Sequence, residues 1–160
     1  MEGKTLIDIG SRIGAVLYGA YYYSKAAKIV GIEMNKELCK LQNEIIGLHK
    51  LEDRVSIVES DMCEVGGLLR TGDVVILNNV FDWFMPPHVQ VQMWQFLRST
   101  LSKGSLLVTI PSLESSLSHL NTGIELNNWV IPLNMFDPSF MEGSQVETSE
   151  VCLYQIINGS

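Results

Sequence analysis

The chain has 160 residues, of which 46% are apolar and 18% charged, and a formal net charge of −7 at pH 7. These values are typical of a globular domain, so we expect residues 1–160 to form a single domain. Its core should be stable without disulfide bonds or a structural metal ion. The sequence pI ≈ 4.9 argues against direct nucleic-acid binding, which normally requires a basic patch. The three cysteines form no CxxC pair and no cluster with histidine, which predicts buried free thiols rather than a disulfide framework or a metal site.

The first residues and the apolar runs of the chain do not suggest targeting to a membrane. Residues 1–4 lack the charged and apolar regions of a signal peptide, and no apolar run approaches the roughly 20 residues of a membrane-spanning helix. We therefore expect a cytoplasmic or nuclear protein without a membrane partner. The mean hydropathy of +0.17 predicts fully buried strands, or an apolar surface that a partner covers.

Short apolar runs alternate with longer stretches of helical composition along the whole chain. The predicted strands are Thr5 to Gly10, Lys28 to Met34, Val55 to Glu59, Asp73 to Leu77, Ser105 to Ile110, a stretch around Trp129 to Leu133, and Val151 to Ile157. The predicted helices are Ile13 to Tyr23, a segment capped by Asn35, Cys63 to Leu69, a segment opened by Pro86 and Pro87, and a turn or short helix at Ser112 to Leu120.

Two of these helices have a predicted apolar face. In the helix after Asn35, the face consists of Leu38, Leu41, Ile45 and Leu48. In the helix after Pro86, it consists of Val89, Met93, Phe96, Leu97 and Leu101.

Strands separated by helices predict an α/β fold with a doubly wound, mostly parallel sheet of about seven strands. The last two strands are joined by a loop of about 15 residues without a convincing helix, so we expect them to form an antiparallel pair at the C-terminal edge. In open α/β sheets, ligands bind outside the carboxyl ends of the strands.

Acidic, glycine and amide residues follow the first four predicted strands. The segment from Asp8 to Gly14 follows the first strand, and Glu33 and Asp61 follow the second and third. Asn78 and Asn79 follow the fourth. We expect these residues to meet at one edge of the sheet and to form a ligand site.

The ordered segments LIDIGSRIGAV, VGIEMN, VESDM and VVILNN resemble the class I, seven-stranded S-adenosylmethionine-dependent methyltransferases, over nearly the whole chain from Thr5. The resemblance implies a Rossmann-like fold, S-adenosyl-L-methionine as cofactor, and methyl transfer as the activity. It also implies that Asp8 lies near the methionine ammonium, that Glu33 accepts hydrogen bonds from both ribose hydroxyls, and that Asp61 faces the adenine amino group. The implied cofactor-binding set is Asp8, Gly10, Ser11, Gly14, Glu33, Met34, Asp61, Met62 and Asn78, with no metal.

The chemistry of these residues agrees with the resemblance. A zwitterionic sulfonium nucleoside offers an ammonium, a diol and an exocyclic amine, and a carboxylate can accept hydrogen bonds from each of them. We expect the carboxylate of the cofactor to meet backbone N–H groups in the turn from Gly10 to Gly14, and Met34 to pack on the adenine ring.

Arg12 departs from the family pattern, which usually has a glycine at this position. Its side chain is expected to point away from the cofactor, to pair with the methionine carboxylate, or to block the pocket. The sequence leaves these three alternatives open.

The methyl acceptor is expected at Asn78 and Asn79, the predicted catalytic residues. The stretch VVILNNVFDWF has a short similarity to the fourth-strand region of the non-SET histone lysine methyltransferases. A side-chain carbonyl there could hold an amine in line with the methyl group, with Trp83 or Phe84 as a wall. The expected acceptor is an amine or another nucleophile, on a protein or a small molecule.

Two other functions are open alternatives. One is a catalytically inactive, methyltransferase-like scaffold domain, since family members usually carry a segment before the first strand that closes over the cofactor, and here the first strand begins at Thr5. The other is an NAD-dependent oxidoreductase, because Glu33 lies 23 residues after Gly10, near the spacing of a ribose-binding acid. The turn GSRIGA is not a GxGxxG motif, however, which disfavours the dinucleotide site.

Overall fold

The computed structural model of the chain describes residues 1–81, 85–134 and 151–159. Seven strands form one sheet in the order β3-β2-β1-β4-β5-β7-β6. The strands are β1 (Thr5–Ile9), β2 (Lys28–Glu33), β3 (Val55–Glu59), β4 (Val74–Asn78), β5 (Leu106–Ile110), β6 (Val130–Leu133) and β7 (Cys152–Ile156). The first five run parallel, and β7 pairs antiparallel with both β5 and β6. The predicted fold and the antiparallel pair at the C-terminal edge are therefore confirmed.

Five α-helices and two short 3₁₀ helices connect the strands of the described segments. The α-helices are α1 (Ala15–Tyr23), α2 (Lys36–His49), α3 (Gly66–Leu69), α4 (Pro87–Thr100) and α5 (Leu113–Leu117), and the 3₁₀ helices are Met62–Val65 and Leu126–Asn128. Helix α1 begins two residues later than predicted, because Gly14 before it has a left-handed backbone (φ 82°). Within the described parts of the chain, none of the helices combines the length and the apolar character needed to cross a bilayer.

The two faces of the sheet are packed separately. Successive side chains of a strand point to opposite faces, so Leu6 and Ile7 of β1 enter different clusters. Leu6 packs in a cluster with Leu17 of α1 and Ile46 of α2. Ile7 packs in the larger cluster, which includes Trp94 of α4. The sheet is thus covered on both faces, and its strand ends remain the place for a site.

The buried face of α2 differs from the predicted one. Asn35 caps the helix as expected, since its Oδ1 accepts hydrogen bonds from the N–H groups of Glu37 and Leu38. The buried residues, however, are Cys39, Gln42 and Ile46, whereas Leu48 of the predicted face is 78% exposed. The predicted face was wrong because it was drawn through apolar residues alone. Gln42 is polar, but it is fully buried and its amide is hydrogen-bonded.

The prediction for α4 is confirmed for its start and is wrong for part of its face. Pro86 is the N-cap and Pro87 the first helical residue. The buried residues of the helix are Gln90, Trp94, Leu97 and Thr100, so the face is shifted from the predicted set, and only Leu97 belongs to both within the helix. Gln90 is buried, and its Nε2 donates to the carbonyl oxygen of Met85 at 2.8 Å.

All three cysteines are free. Cys39 is buried, as expected, and its thiol lies 3.3 Å from the carbonyl oxygen of Glu33. Cys63 is exposed and Cys152 half-buried, so the expectation of buried thiols was wrong for Cys63. Cys63 lies two residues after Asp61 at the surface of the strand-end region, outside the two cores.

Gly31 of β2 lies where the first turn packs on the sheet, and Gly31→Ala should destabilise the fold. A Cβ atom there would lie 2.6 Å from Ser11 Oγ and 2.7 Å from Leu17 Cδ1. We expect a loss of about 1–3 kcal/mol in the free energy of unfolding, measured by urea denaturation, because overpacking forces neighbours out of their rotamers. In the control Gly67→Ala, the new Cβ meets nothing within 4 Å. Equal stability of the two variants would contradict the packing at Gly31.

Candidate functional site

A cavity of about 360 Å³ lies outside the carboxyl ends of β1 to β4, where the strand order reverses between β1 and β4. Its volume falls within the range of small-molecule sites, about 300–1,000 Å³. The segments after these four strands meet around it as expected. It is lined by Ile9, Gly10, Arg12, Ile32, Glu33, Met34, Asn35, Leu38, Ser60, Asp61, Met62, Asn78, Asn79, Val80, Phe81, Met85 and Met93.

Glu33 ends β2 with its carboxylate held between two backbone donors. Oε2 accepts from the N–H of Arg12 at 3.0 Å, and Oε1 accepts from the N–H of Asn35 at 2.8 Å. The residue is only 7% exposed, yet it lines the cavity. Because an ionised carboxylate has about four acceptor positions, Glu33 retains one on each oxygen for a pair of hydroxyl donors.

Asp61 caps a helix and also lines the cavity. Its Oδ1 accepts from the N–H of Cys63 at 2.8 Å at the start of the 3₁₀ helix Met62–Val65. This contact leaves Oδ2 for a donor in the cavity. Asp61 can therefore cap the helix and accept a hydrogen bond from a ligand at the same time.

The turn from Gly10 to Gly14 is held by its own backbone. Gly10 and Ser11 donate their N–H groups to the carbonyl of Ile32, Arg12 donates to Glu33, and Gly14 donates to the carbonyl of Ser11. Four of the five N–H groups of this turn are thus already engaged. These bonds leave the turn few donors for the carboxylate of a cofactor, and the expectation that it binds there remains a prediction.

The glycines of the turn allow close packing. Gly10 has φ 70°, and a Cβ on it would approach Val80 Cγ1 to 3.2 Å, so the turn lies directly against the segment after β4. Gly14 has φ 82°, and its Cβ would lie 2.5 Å from the hydroxyl of Tyr18. Gly10 lines the cavity, whereas Gly14 does not.

Ser11 is directed into α2. Its hydroxyl donates to Gln42 Oε1 at 2.8 Å in a buried contact, and Gln42 Nε2 donates to the carbonyl of Leu38. Ser11 does not line the cavity. The Ser11 side chain therefore links the turn to α2 by a hydrogen bond. Its assignment to cofactor binding remains a prediction.

Arg12 lines the cavity and has a left-handed backbone, with φ 51°. This conformation explains why glycine suits the position in the family that the chain resembles. The residue is exposed, and the cavity beside it stays open at about 360 Å³. Arg12 therefore borders the pocket without blocking it.

Asp8 is buried in β1, 3% exposed, and lies outside the cavity lining. Burial first, and the nearby charge of Glu33 second, raise the pKa of Asp8 to about 7. Among residues 1–81, 85–134 and 151–159, no hydrogen bond to its carboxylate is found. Asp8 is thus a buried acid whose ionised form would gain from a cation placed next to it.

The other predicted residues line the cavity. Met34 is 66% exposed at its edge, and Met62, Asn78 and Asn79 complete the predicted set. Asn79 has φ 51°, a conformation that asparagine tolerates. In the part of the chain that the structure describes, neither side-chain amide makes a hydrogen bond.

Several lining residues were not predicted as site residues. Leu38, Phe81, Met85 and Met93 add an apolar wall, and Met93 Sδ lies 3.4 Å from the thiol of Cys63. Met93 was assigned to the core face of its helix, and periodicity alone does not distinguish a core from a cavity wall. The predicted wall residues Trp83 and Phe84 lie outside the described residues.

No protein-family model matches the chain. A stretch of 76 residues is 32% identical to ribosomal protein L11 methyltransferase from Carboxydothermus hydrogenoformans, and the match covers 48% of this chain and 24% of that protein. The chain thus spans about a quarter of the length of this curated relative.

Solved structures share the fold over most of the chain. An RNA methyltransferase from Salinibacter ruber in complex with S-adenosyl-L-homocysteine superposes with a TM-score of 0.61 at 20% identity, covering 97% of this chain and 81% of that chain. PKMT2 from Rickettsia typhi in complex with AdoHcy has a TM-score of 0.58 at 20% identity, covering 69% of this chain and 21% of that chain. The chain has the fold of the class I S-adenosylmethionine-dependent methyltransferases. Since one neighbour is an RNA methyltransferase, the expectation of no nucleic-acid partner is not supported.

Asp61→Ser should separate the two contacts of Asp61. Serine can still cap the 3₁₀ helix, but it removes the carboxylate that would face the adenine amino group. We expect about 10-fold weaker binding of S-adenosylhomocysteine by calorimetry, because a hydrogen bond to a charged group contributes roughly 1.5–3 kcal/mol. The inosine analogue, in which a 6-oxo group replaces the amine, should bind the variant and the wild type with similar affinity. A parallel loss for both ligands would contradict the adenine contact.

Proposed function

We propose that the chain binds S-adenosylmethionine in this cavity and transfers its methyl group to a nucleophile. The observation that carries the proposal is the position of Glu33 and Asp61, whose carboxylates line one open cavity at neighbouring strand ends. Both keep acceptor positions after their backbone contacts are counted. A ribose diol and an adenine amine are the donors that match such a pair.

The remaining lining residues fit an adenosine. Met34, Leu38 and Met62 line the same cavity as the two carboxylates and add apolar surface, which suits the faces of a purine ring. Gly10 and Val80 lie against each other on the far side of Glu33, next to Asn78. The ligand's amino-acid end is thus expected at the turn after β1 and the segment after β4.

The protein's part in the reaction is positioning and exclusion of water. The cofactor supplies an electrophilic methyl group. Asn78 and Asn79 can accept a hydrogen bond from the attacking group through a side-chain carbonyl and orient its lone pair. Phe81 is 3% exposed, packs edge to face on Trp94, and keeps this end of the cavity apolar. No strong general base is required of these residues.

An amine is the acceptor that these side chains favour. Amide oxygens accept hydrogen bonds from an amine, and a net charge of −7 attracts basic or neutral partners more than the phosphates of a nucleic acid. A basic protein and a small amine both satisfy these conditions.

Calorimetry with S-adenosylhomocysteine tests cofactor binding. Measurable heat with a 1:1 stoichiometry supports the proposal, and NADH should give none. If the chain binds NADH instead, the oxidoreductase interpretation replaces the proposal. If it binds neither ligand, the chain is a methyltransferase-like scaffold domain.

Transfer from S-[methyl-³H]adenosylmethionine tests the acceptor. Mixed histones, a panel of small amines and total RNA are offered in parallel, with wild type, Asn78→Ala and the exposed control Asn43→Ala. We expect label on an amine and a loss of about 10²-fold in rate for Asn78→Ala, because misplaced reactants lose much of the benefit of orientation. Label on RNA alone would contradict the proposed acceptor.

A further inference from the structure

The turn after β1 offers few donors to an anion. Four of its five backbone N–H groups, from Gly10 to Gly14, are donated to Ile32, Glu33 and Ser11. A carboxylate arriving at this turn therefore needs another hydrogen-bond donor.

The charges around the cavity make that need greater. The acids Glu33 and Asp61 line it, and Asp8 is buried next to Glu33. Among the described lining residues, Arg12 is the single basic one. A carboxylate in this surrounding is repelled by the acids and attracted by Arg12 alone.

Arg12 also has an unusual backbone conformation. Its φ of 51° is uncommon for a residue other than glycine. The conformation is maintained by the bond from its N–H to Glu33. Strained backbone tends to be kept where the side chain is needed.

We infer that Arg12 binds the carboxylate of the methionine moiety of the cofactor and makes the site selective for nucleosides that carry an amino acid. The inference rests on the proposed function. With adenine near Asp61 and ribose at Glu33, the amino-acid end extends toward the turn that contains Arg12. A guanidinium has five N–H donors, so Arg12 can bind a carboxylate with two of them and keep other contacts.

The test compares two ligands that share the adenosine and the thioether. S-adenosylhomocysteine carries the amino acid, and 5′-methylthioadenosine lacks it. In calorimetry, Arg12→Gly is expected to bind S-adenosylhomocysteine about 10- to 100-fold more weakly, the loss for a charge-assisted hydrogen bond. Its affinity for methylthioadenosine should stay within about twofold of wild type, because no carboxylate is present to be bound.

Two further variants sharpen the comparison. Arg12→Lys keeps the charge but loses the paired donors, so it should lie between wild type and Arg12→Gly. Arg70→Ala, which removes an exposed arginine away from the cavity, should leave both affinities unchanged.

Each other outcome overturns the inference. An unchanged affinity of Arg12→Gly for S-adenosylhomocysteine shows that Arg12 does not bind the carboxylate. An equal loss for both ligands shows that the residue acts on the adenosine, through Glu33. If wild type binds neither ligand, the proposed function fails, and the inference fails with it.

Discussion

Glu33→Ala is expected to weaken S-adenosylhomocysteine binding by about 100-fold or more. The substitution removes both acceptors of the ribose diol, and hydrogen bonds to a charged group contribute roughly 1.5–3 kcal/mol each. Calorimetry on wild type and variant measures the change. The matched control is Glu44→Ala. Glu44 is an exposed acid of α2 that does not line the cavity, and its Oε1 lies 4.0 Å from Lys40 Nζ.

The same variant should also be less stable without ligand. The partly buried N–H groups of Arg12 and Asn35 lose their acceptor, and each lost hydrogen bond costs about 1 kcal/mol. Urea denaturation should therefore show a lower midpoint for Glu33→Ala than for Glu44→Ala. Wild-type affinity in a folded Glu33→Ala variant would contradict the assignment of Glu33 to the ribose.

Asp8→Asn is expected to raise stability and to lower ligand affinity. Burial and the nearby charge of Glu33 raise the pKa of Asp8 from its ordinary value of 3.8 to about 7 in the folded state. Between these values the folded protein holds a proton that the unfolded chain has released, so the free energy of unfolding falls as pH rises from about 4 to 7. The cost at pH 8 is on the order of 2–4 kcal/mol, since each pKa unit corresponds to about 1.4 kcal/mol.

An asparagine at position 8 carries no charge to desolvate. The urea midpoint of Asp8→Asn should therefore exceed that of wild type at pH 8 and match it at pH 4. Ligand binding should change in the opposite direction, because an ammonium next to Asp8 stabilises the carboxylate and asparagine cannot replace it. We expect about 10-fold weaker binding at pH 8, the effect of losing a charge-assisted contact.

The control is Asp53→Asn, which changes an exposed acid whose Oδ2 lies 3.8 Å from Arg54 Nε. It should leave the affinity and its pH dependence unchanged. For the wild type, affinity should rise with pH between about 5 and 7, as Asp8 becomes ionised. An Asp8→Asn variant that is less stable than wild type at pH 8 would contradict the burial of a charge at this position.

The strands of the fold were predictable from sequence to within one or two residues. Runs such as Val55–Glu59 are apolar, short and bounded by turns, and the structure places β3 there. The antiparallel arrangement of β7 was predictable as well, because the sequence before it has no convincing helical pattern for a crossover.

The buried face of α2 was not predictable from apolar periodicity. Gln42 is fully buried because Ser11 Oγ and the Leu38 carbonyl lie within hydrogen-bond distance of its amide. Both partners become neighbours of Gln42 only after the chain has folded. A polar residue at a buried position therefore shifts the helix face away from Leu48.

The candidate site was predictable where its residues follow strands. Glu33 and Asp61 end up in one cavity because parallel strands end at the same edge of a sheet. The engagement of the N–H groups between Gly10 and Gly14 was not predictable, since it depends on the path of the turn over β2. The wall formed by Met85 and Met93 comes from distant sequence and has no motif of its own.

A crystal structure of the chain with S-adenosylhomocysteine tests the central claim most directly, namely that Glu33 and Asp61 jointly bind an adenosine. The account predicts both ribose hydroxyls within hydrogen-bond distance of the Glu33 carboxylate and the adenine amino group at Asp61. A ligand bound elsewhere, or bound in the cavity with neither carboxylate in contact, would contradict it.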